Sequence, residues 1–317
     1  MKLEPRFLKQ RSHLIVPANV ERYIEKAAAL GADVVVLDMD DAMPQDDPVQ
    51  IEIARRNIVR AFLKLDFGDT LRFFRPRSFE RDRDFEDIIE VVDGTGGKVD
   101  GIVYPKVEDV RVLDALCKIL GYLERTRGLH ENSIKLGIMV ESVKAIKNIS
   151  AIAQHDDRTV CLIFGAFDYW RSVSSPYAEF RSDHPLLDAA RIAVVEAAVS
   201  AGVLPIAEMS RIYPSTKMPD EERRRAEEEF RREAERSRDM GFWGKWVGNP
   251  AQLEIVHEVF SIPPGVVERA RREVEAFEAS ASEGRATLLV DGELVDVATY
   301  EMSRKVLELA EKLEGEK

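Results

Sequence analysis

Short apolar runs rich in β-branched residues recur along this chain, and after each one the apolar positions switch to a spacing of three and four. Ser12–Pro17 precedes a helical pattern from Val20 to about Leu30, Val34–Asp38 one from Val49 to about Leu63, and Leu71–Arg75 one from Asp84 to about Val92. Gly101–Lys106 leads into a pattern from Val107 to about Thr126. Lys135–Val140 and Thr159–Phe167 follow, each again ahead of a helical pattern. A helix from Pro185 to Ala201, a short strand at Leu204–Ala207, a highly charged helix from Asp220 and a run from Gly244 to Asn249 complete the series. Runs without polar alternation read as strands buried on both faces, and their regular alternation with helices predicts parallel pairing through right-handed crossovers. Eight such units over about 250 residues predict an α/β fold, a closed (β/α)8 TIM barrel.

Beyond about Phe260 the pattern changes. Pro263-Pro264 breaks the chain, Val266–Ser280 is amphipathic at helical spacing, and Leu288–Val295 reads as a hairpin turning at Asp291-Gly292. A last helix is predicted from about Val297 to the end. The expected organisation is a barrel over residues 1–260 and a helix–hairpin–helix tail over 261–317, serving as lid, oligomer contact or both.

Composition narrows the classes. A chain of 317 residues with 45% hydrophobic residues buries a large core, yet no apolar stretch is long enough to span a bilayer, so no membrane partner is expected. Residues 1–11 lack a continuous apolar segment, so no secretory leader is expected. Cys117 and Cys161 stand in apolar surroundings without a CxxC partner, which reads as packed thiols in a reducing compartment, the cytoplasm. A net charge of -12 argues against nucleic acid but leaves room for a small anion in a locally positive pocket. The block Asp220–Arg236 mixes signs at three- and four-residue spacing, as in a solvated helix laced with ion pairs.

The candidate chemistry stands at the carboxyl ends of the predicted strands, where active sites collect in such folds. Two consecutive apolar runs stop at Glu141 and at Asp168. Paired carboxylates there make an oxygen-ligand site for a hard divalent cation, Mg²⁺ with Mn²⁺ as an alternative. The second strand ends in Asp38-Met39-Asp40-Asp41, and close carboxylates need a cation, donors or a shared proton. Asp40 and Asp41 read as support around a metal or as partners of nearby arginines. Arg75 and Arg77 share one face of the third strand; each either pairs with the Asp38–Asp41 cluster or awaits an anionic substrate. Lys106, ending the fourth strand, bears on the same acids. Arg22 and Lys26 are one helical turn apart, either a solvated face or a grip for phosphate.

Several of these segments, taken in order, resemble the citrate lyase β-subunit-like family of CoA-ester lyases in the HpcH/HpaI aldolase superfamily. They are Arg11-Ser12 with Val16-Pro17, Leu37–Ala42, Pro105-Lys106-Val107, Val140-Glu141-Ser142, Phe164–Asp168 and Gly241–Gln252. Gly244-Lys245-Trp246 and Val290–Ala298 favour the malyl-CoA and β-methylmalyl-CoA lyase branch, and the resemblance runs from about Arg11 to Leu313. It implies that Glu141 and Asp168 ligate Mg²⁺, that Arg75 binds the oxo acid and stabilises enolate charge, and that Asp40 supports metal-bound water. It also implies that Arg22 and Lys26 meet the CoA phosphates, and that Lys106, Gly165, Ala166, Phe167, Asn249 and Pro250 line the site. Asp296 matches a tail acid that reaches a neighbouring subunit's active site as acid/base, so a homo-oligomer, trimer or hexamer, is expected. Without the resemblance, Asp296 reads as a cap for the last helix.

The implied reaction is reversible cleavage of malyl-CoA or β-methylmalyl-CoA to glyoxylate and acetyl-CoA or propionyl-CoA. Citramalyl-CoA and citryl-CoA remain alternatives, as do a CoA-independent aldolase of free oxo acids and a non-catalytic subunit of the same fold. One position departs from the pattern. Asn249 stands where the family usually has His, and an amide cannot titrate near neutral pH. The segment from Tyr169 to His184 is also shorter than in typical malyl-CoA lyases.

Overall fold

The structure, a computed structural model, describes residues 3–79, 85–174, 176, 179–282 and 284–314. Eight parallel strands close into a barrel in chain order. They are β1 (Ser12–Pro17), β2 (Val34–Asp38), β3 (Leu71–Arg75), β4 (Gly101–Tyr104), β5 (Lys135–Val140), β6 (Thr159–Phe164), β7 (Leu204–Ala207) and β8 (Gly244–Val247). The helices between them are α1 (Glu21–Ala28), α2 (Pro48–Lys64), α3 (Glu86–Thr95), α4 (Val110–Arg127), α5 (Val143–Ala153), α6 (Ala166–Val173), α7 (Pro185–Ala201) and α8 (Asp220–Asp239), with α9 (Ala251–Val259) after β8. β1 pairs with both β2 and β8, so the barrel has no free edge. Val34–Leu37 are wholly buried, as strands enclosed on both faces require.

Local chemistry sets the helix starts. Asp47, Asp109 and Ser142 cap α2, α4 and α5 by accepting hydrogen bonds from first-turn amides. The fourth helix therefore begins at Val110 rather than Val107. Lys106 is in the left-handed region (φ 55°) and Val107 is buried packing in the turn before the cap. Asp84, where the sequence places the start of α3, lies outside the described residues; Glu86 begins the helix. The charged helix α8 carries the expected pairs, among them Arg223–Asp220 and Arg232–Glu228.

The amino ends of the strands are tied by buried or half-buried ion pairs. Arg11 grips Asp33, Arg72 grips Asp100, and Arg158 holds both oxygens of Glu124 at 2.6 and 2.7 Å. Each arginine has a carboxylate of its own, in bidentate geometry.

The chain divides into two compact units, one holding Gln10–Phe260 and the other Glu4–Lys9 with the residues from Ser261 onward. The second contains α10 (Pro264–Ser282), the hairpin β9 (Leu288–Val290) and β10 (Glu293–Val295), and α11 (Val297–Glu314). Phe277 stacks on Tyr300 at 4.5 Å between α10 and α11. Leu289 and Leu294 on the hairpin are exposed. No helix among the described residues is long and apolar enough to cross a membrane.

Candidate active site

A cavity of about 440 Å³ opens at the carboxyl ends of the barrel strands. Arg75, Glu141, Asp168, Phe167, Trp246 and Tyr213 are among the residues lining it. A second cavity, of about 670 Å³, shares Glu141 and Asp168 and continues past Lys106 toward α4 and α5. The two carboxylates therefore stand where the cavities meet.

Each reaches that place differently. Glu141 directly follows β5, is buried, and accepts a 2.6 Å hydrogen bond from the Lys106 amide through Oε1. The left-handed turn at Lys106 aims that amide. Asp168 is not at a strand end. β6 stops at Phe164, and Asp168 sits in the first turn of α6. The apolar run continues past the strand because Ala166 packs in the core and Phe167 against Phe180, at 4.9 Å between rings. Gly165 makes the approach possible: a Cβ there would fall 2.4 Å from Glu141 Cβ and 2.7 Å from its Oε2. Burial pushes the Glu141 carboxyl up to about 7, partly offset by Arg75 and reinforced by the charge of Asp168. Asp168 accepts from Arg171 at 2.6 Å.

Arg75 is buried and held by Asp38, with Nε to Oδ1 at 2.5 Å and Nη2 to Oδ2 at 2.7 Å. Among the described residues its remaining Nη1 makes long contacts, 3.4 Å to Asp41, 3.3 Å to the Met139 sulfur and 3.9 Å to Asp40. Burial disfavours its charge, but Asp38, Asp40 and Asp41 more than restore it. The guanidinium also lies over the Trp246 ring at 5.7 Å. Arg77 behaves otherwise. It pairs with Asp87 on α3, not with the Asp38–Asp41 cluster, because the chain turns away after β3. That pair is shared with Arg55 and is structural.

Lys106 bears on the acids as expected, with Nζ 3.0 Å from Asp40 and 3.4 Å from Asp41. Burial and the neighbouring Asp41 push the Asp40 carboxyl up to about 6 against the pull of Arg75 and Lys106. In the more exposed Asp41 burial also acts upward, but Arg75 and Lys106 prevail and hold it below the usual range.

Among the described residues no three or more His, Cys, Asp or Glu side chains form a cation cluster. Glu141 and Asp168 nevertheless fit one hard ion. They are paired oxygen donors whose mutual repulsion a cation would relieve, and a bound substrate can supply further oxygens.

Other expected site residues lie elsewhere. Arg22 and Lys26 are exposed on α1, outside both cavities; Arg22 stacks over Tyr23 at 5.0 Å. Asn249 and Pro250 are at the start of α9, beside the cavity-lining Gly248. The Asn249 side chain is spent on structure, donating to Pro214 O at 2.6 Å and accepting from Ala251 N at 2.9 Å. Gly165, Ala166 and Phe167 do line the smaller cavity. Asp296 belongs to the second unit, where it caps α11 by accepting from the Thr299 amide and hydroxyl; these bonds hold its carboxyl below the usual range.

Among the lining residues that sequence reasoning missed are Glu208 and Tyr213. Glu208, just after β7, is buried; one oxygen accepts from Arg191 and the other has no hydrogen-bond partner. Tyr213 stands in the following loop. The only signal for Glu208 was its place one alternation beyond Ile206; a lone loop tyrosine gives none.

The profile of the HpcH/HpaI aldolase/citrate lyase family matches residues 11–250. A (3S)-malyl-CoA thioesterase of Cereibacter sphaeroides is 30% identical over 301 residues, covering 95% of this chain and 94% of that protein. An L-malyl-CoA/β-methylmalyl-CoA lyase of Rhodobacter capsulatus is 28% identical over 318 residues, with the same coverage of 95% and 94%. The structure of protein CitE from Mycobacterium tuberculosis in complex with magnesium, acetoacetate and coenzyme A superposes with a TM-score of 0.67 at 21% identity, covering 96% of this chain and 99% of that one. A closed parallel barrel, carboxylates gathered at its carboxyl end and this span of sequence lead to one assignment: the chain belongs to the HpcH/HpaI aldolase/citrate lyase family, a family of enzymes that includes CoA-ester and oxo-acid lyases.

Proposed function

We propose that this protein is a Mg²⁺-dependent lyase that reversibly cleaves L-malyl-CoA, or β-methylmalyl-CoA, to glyoxylate and acetyl-CoA or propionyl-CoA. The observation that carries the reading is that Arg75, Glu141 and Asp168 line a single cavity. The Rhodobacter capsulatus relative bears the name of this activity, and the Mycobacterium tuberculosis structure holds magnesium and coenzyme A.

Glu141 and Asp168 would hold the ion, which when bound supplies Lewis acidity toward the substrate's hydroxyl and carboxylate oxygens. The 3-hydroxyl proton would pass to the Asp296 carboxylate of a neighbouring copy; the O–H electron pair becomes the second bond of the glyoxylate carbonyl and the bond to the acyl α-carbon breaks. The departing pair forms a thioester enolate. Arg75, clamped by Asp38 with Nη1 left for a ligand, donates to the oxygens that carry this charge. The Lys106 amide and Gly165 fix the Glu141 carboxylate, while Lys106 Nζ holds Asp40. Asp296 from a neighbouring copy would protonate the enolate at its α-carbon, or take that proton in the condensation direction. To do so it must first release Thr299.

The test is glyoxylate release from malyl-CoA with and without EDTA, with citramalyl-CoA and citryl-CoA alongside and free thiol followed in parallel. Glyoxylate lost on chelation supports the reading; pyruvate or oxaloacetate release instead moves the substrate. Thiol without any oxo acid would mark hydrolysis, the second reading, favoured by the name of the Cereibacter sphaeroides relative. Turnover of free oxo acids alone would point to a CoA-independent aldolase. The shared site is tested by mixing inactive Glu141→Ala and Asp296→Ala variants: activity should return on subunit exchange, and its absence after proven exchange would remove Asp296 from the site.

A further inference from the structure

Asn249 cannot take the part of a titrating side chain, and both ends of its amide are engaged. What those bonds hold in place is informative. Its Nδ2 pins the carbonyl of Pro214, and Gln252 Nε2 pins that of Ile212 at 2.7 Å. Gln252 Oε1 in turn accepts from the Gly248 and Asn249 amides at 3.1 Å each. The residues on either side of Tyr213 are thus fastened to the β8–α9 turn, and Tyr213 is held between them.

The phenol so held faces the cavity shared by Arg75, Glu141 and Asp168. Its hydroxyl lies over bare backbone: a Cβ on Gly248 would fall 2.1 Å from the Tyr213 oxygen. Only glycine at 248 allows this approach. The hydroxyl's hydrogen-bond partner is the Met209 sulfur at 2.9 Å, a weak acceptor. Tyr213 is 38% exposed and lines the cavity that a ligand would enter. Burial pushes its pKa above the ordinary phenol value, so at neutral pH the group is a neutral donor, not a phenolate.

The closed strand order sets β7, which the Tyr213 loop follows, opposite β3, which carries Arg75. A substrate held at Glu141 and Asp168 has both Arg75 and Tyr213 on the wall of the same cavity, within reach of its thioester end. We infer that the Tyr213 hydroxyl donates a hydrogen bond to the thioester oxygen, where charge accumulates as the carbon–carbon bond breaks, and that Asn249 and Gln252 position it. This rests on the CoA-ester lyase reading above. A preorganised donor in this place acts chiefly on the transition state.

The experiment compares wild type, Tyr213→Phe, Asn249→Ala and the double variant for kcat and KM on the CoA ester that wild type cleaves, with unfolding midpoints measured alongside. Tyr213→Phe should lower kcat by about 10²-fold with KM within about twofold and the midpoint unchanged. Asn249→Ala should lower kcat in the same direction, and the double variant should be no slower than Tyr213→Phe, since the clamp acts through the phenol. A Tyr213→Phe enzyme within twofold of wild type in kcat, or multiplicative losses in the double variant, overturns the inference while leaving the lyase reading intact. A wild type inert toward every CoA ester overturns both.

Discussion

The two ends of the barrel are built from the same residue types and put them to opposite use. At the amino ends each arginine has its own carboxylate, as in Arg11–Asp33, Arg72–Asp100 and Arg158–Glu124. At the carboxyl ends Asp38, Asp40, Asp41, Glu141 and Asp168 meet, among the described residues, the cations Arg75, Lys106 and Arg171. The matched end closes its charges against each other and stabilises the fold. The unmatched end leaves carboxylates buried and short of partners, so it favours whatever positive group arrives. Equal chemistry thus yields scaffold or site according to whether the count balances.

Substitutions at the two ends should separate these roles. Asp168→Asn, at the unmatched end, should lower Mg²⁺-dependent turnover by about 10³-fold or more with little change in the unfolding midpoint; unaltered turnover would exclude it as a ligand. Arg158→Ala, at the matched end, leaves Glu124 buried without its partner and should cost about 3–5 kcal/mol in urea unfolding, with turnover per folded molecule unchanged. A loss of turnover at full folding would dissolve the distinction.

His13 sharpens the matched end further. It is fully buried on β1, stacked on Trp246 at 6.0 Å, and neither ring nitrogen has a hydrogen-bond partner. Burial pushes its pKa down to about 3, against the pull of Asp33. Its folded pKa lies below the unfolded value, so the unfolded chain binds the proton first. Stability from this group is full above about pH 6.5 and falls by about 1.4 kcal/mol per unit toward pH 3. The difference in unfolding free energy between wild type and His13→Phe should change by that slope from pH 6.5 to 4, a comparison in which the opposite slopes of the raised Asp40 and Glu141 carboxyls cancel. The smallest effect belongs to Arg171, an exposed partner of Asp168. Arg171→Gln should tighten cation binding by at most about fivefold, read by terbium luminescence, because exposed ion pairs are worth about 1 kcal/mol or less.

Most of the barrel was legible because enclosed parallel strands must be apolar on both faces, and the alternation with helices then admits few topologies. The candidate site was legible where an acid ends an apolar run, as Glu141 does. It blurred at Asp168, since Ala166 and Phe167 prolong the run although the backbone has already turned into helix. Pairings were least readable. Nothing in the string Arg75-Pro76-Arg77 says that one guanidinium turns to Asp38 and the other to Asp87, since the choice is made by where the chain goes after β3. Tyr213 escaped notice for a related reason: its significance lies in the Gly248 backbone beneath it, 35 positions along the chain.

The unbalanced acids at the barrel mouth also bear on the kinetics of encounter. A molecule of net charge -12 that gathers several of its carboxylates around the cavity repels an approaching anion. Screening relieves that repulsion, so association of an anionic ligand should speed up as ionic strength rises, the reverse of an enzyme that steers its substrate in. The same field draws divalent cations. On the proposed function, that field would have the cation enter first and the anion follow once the local sign has changed.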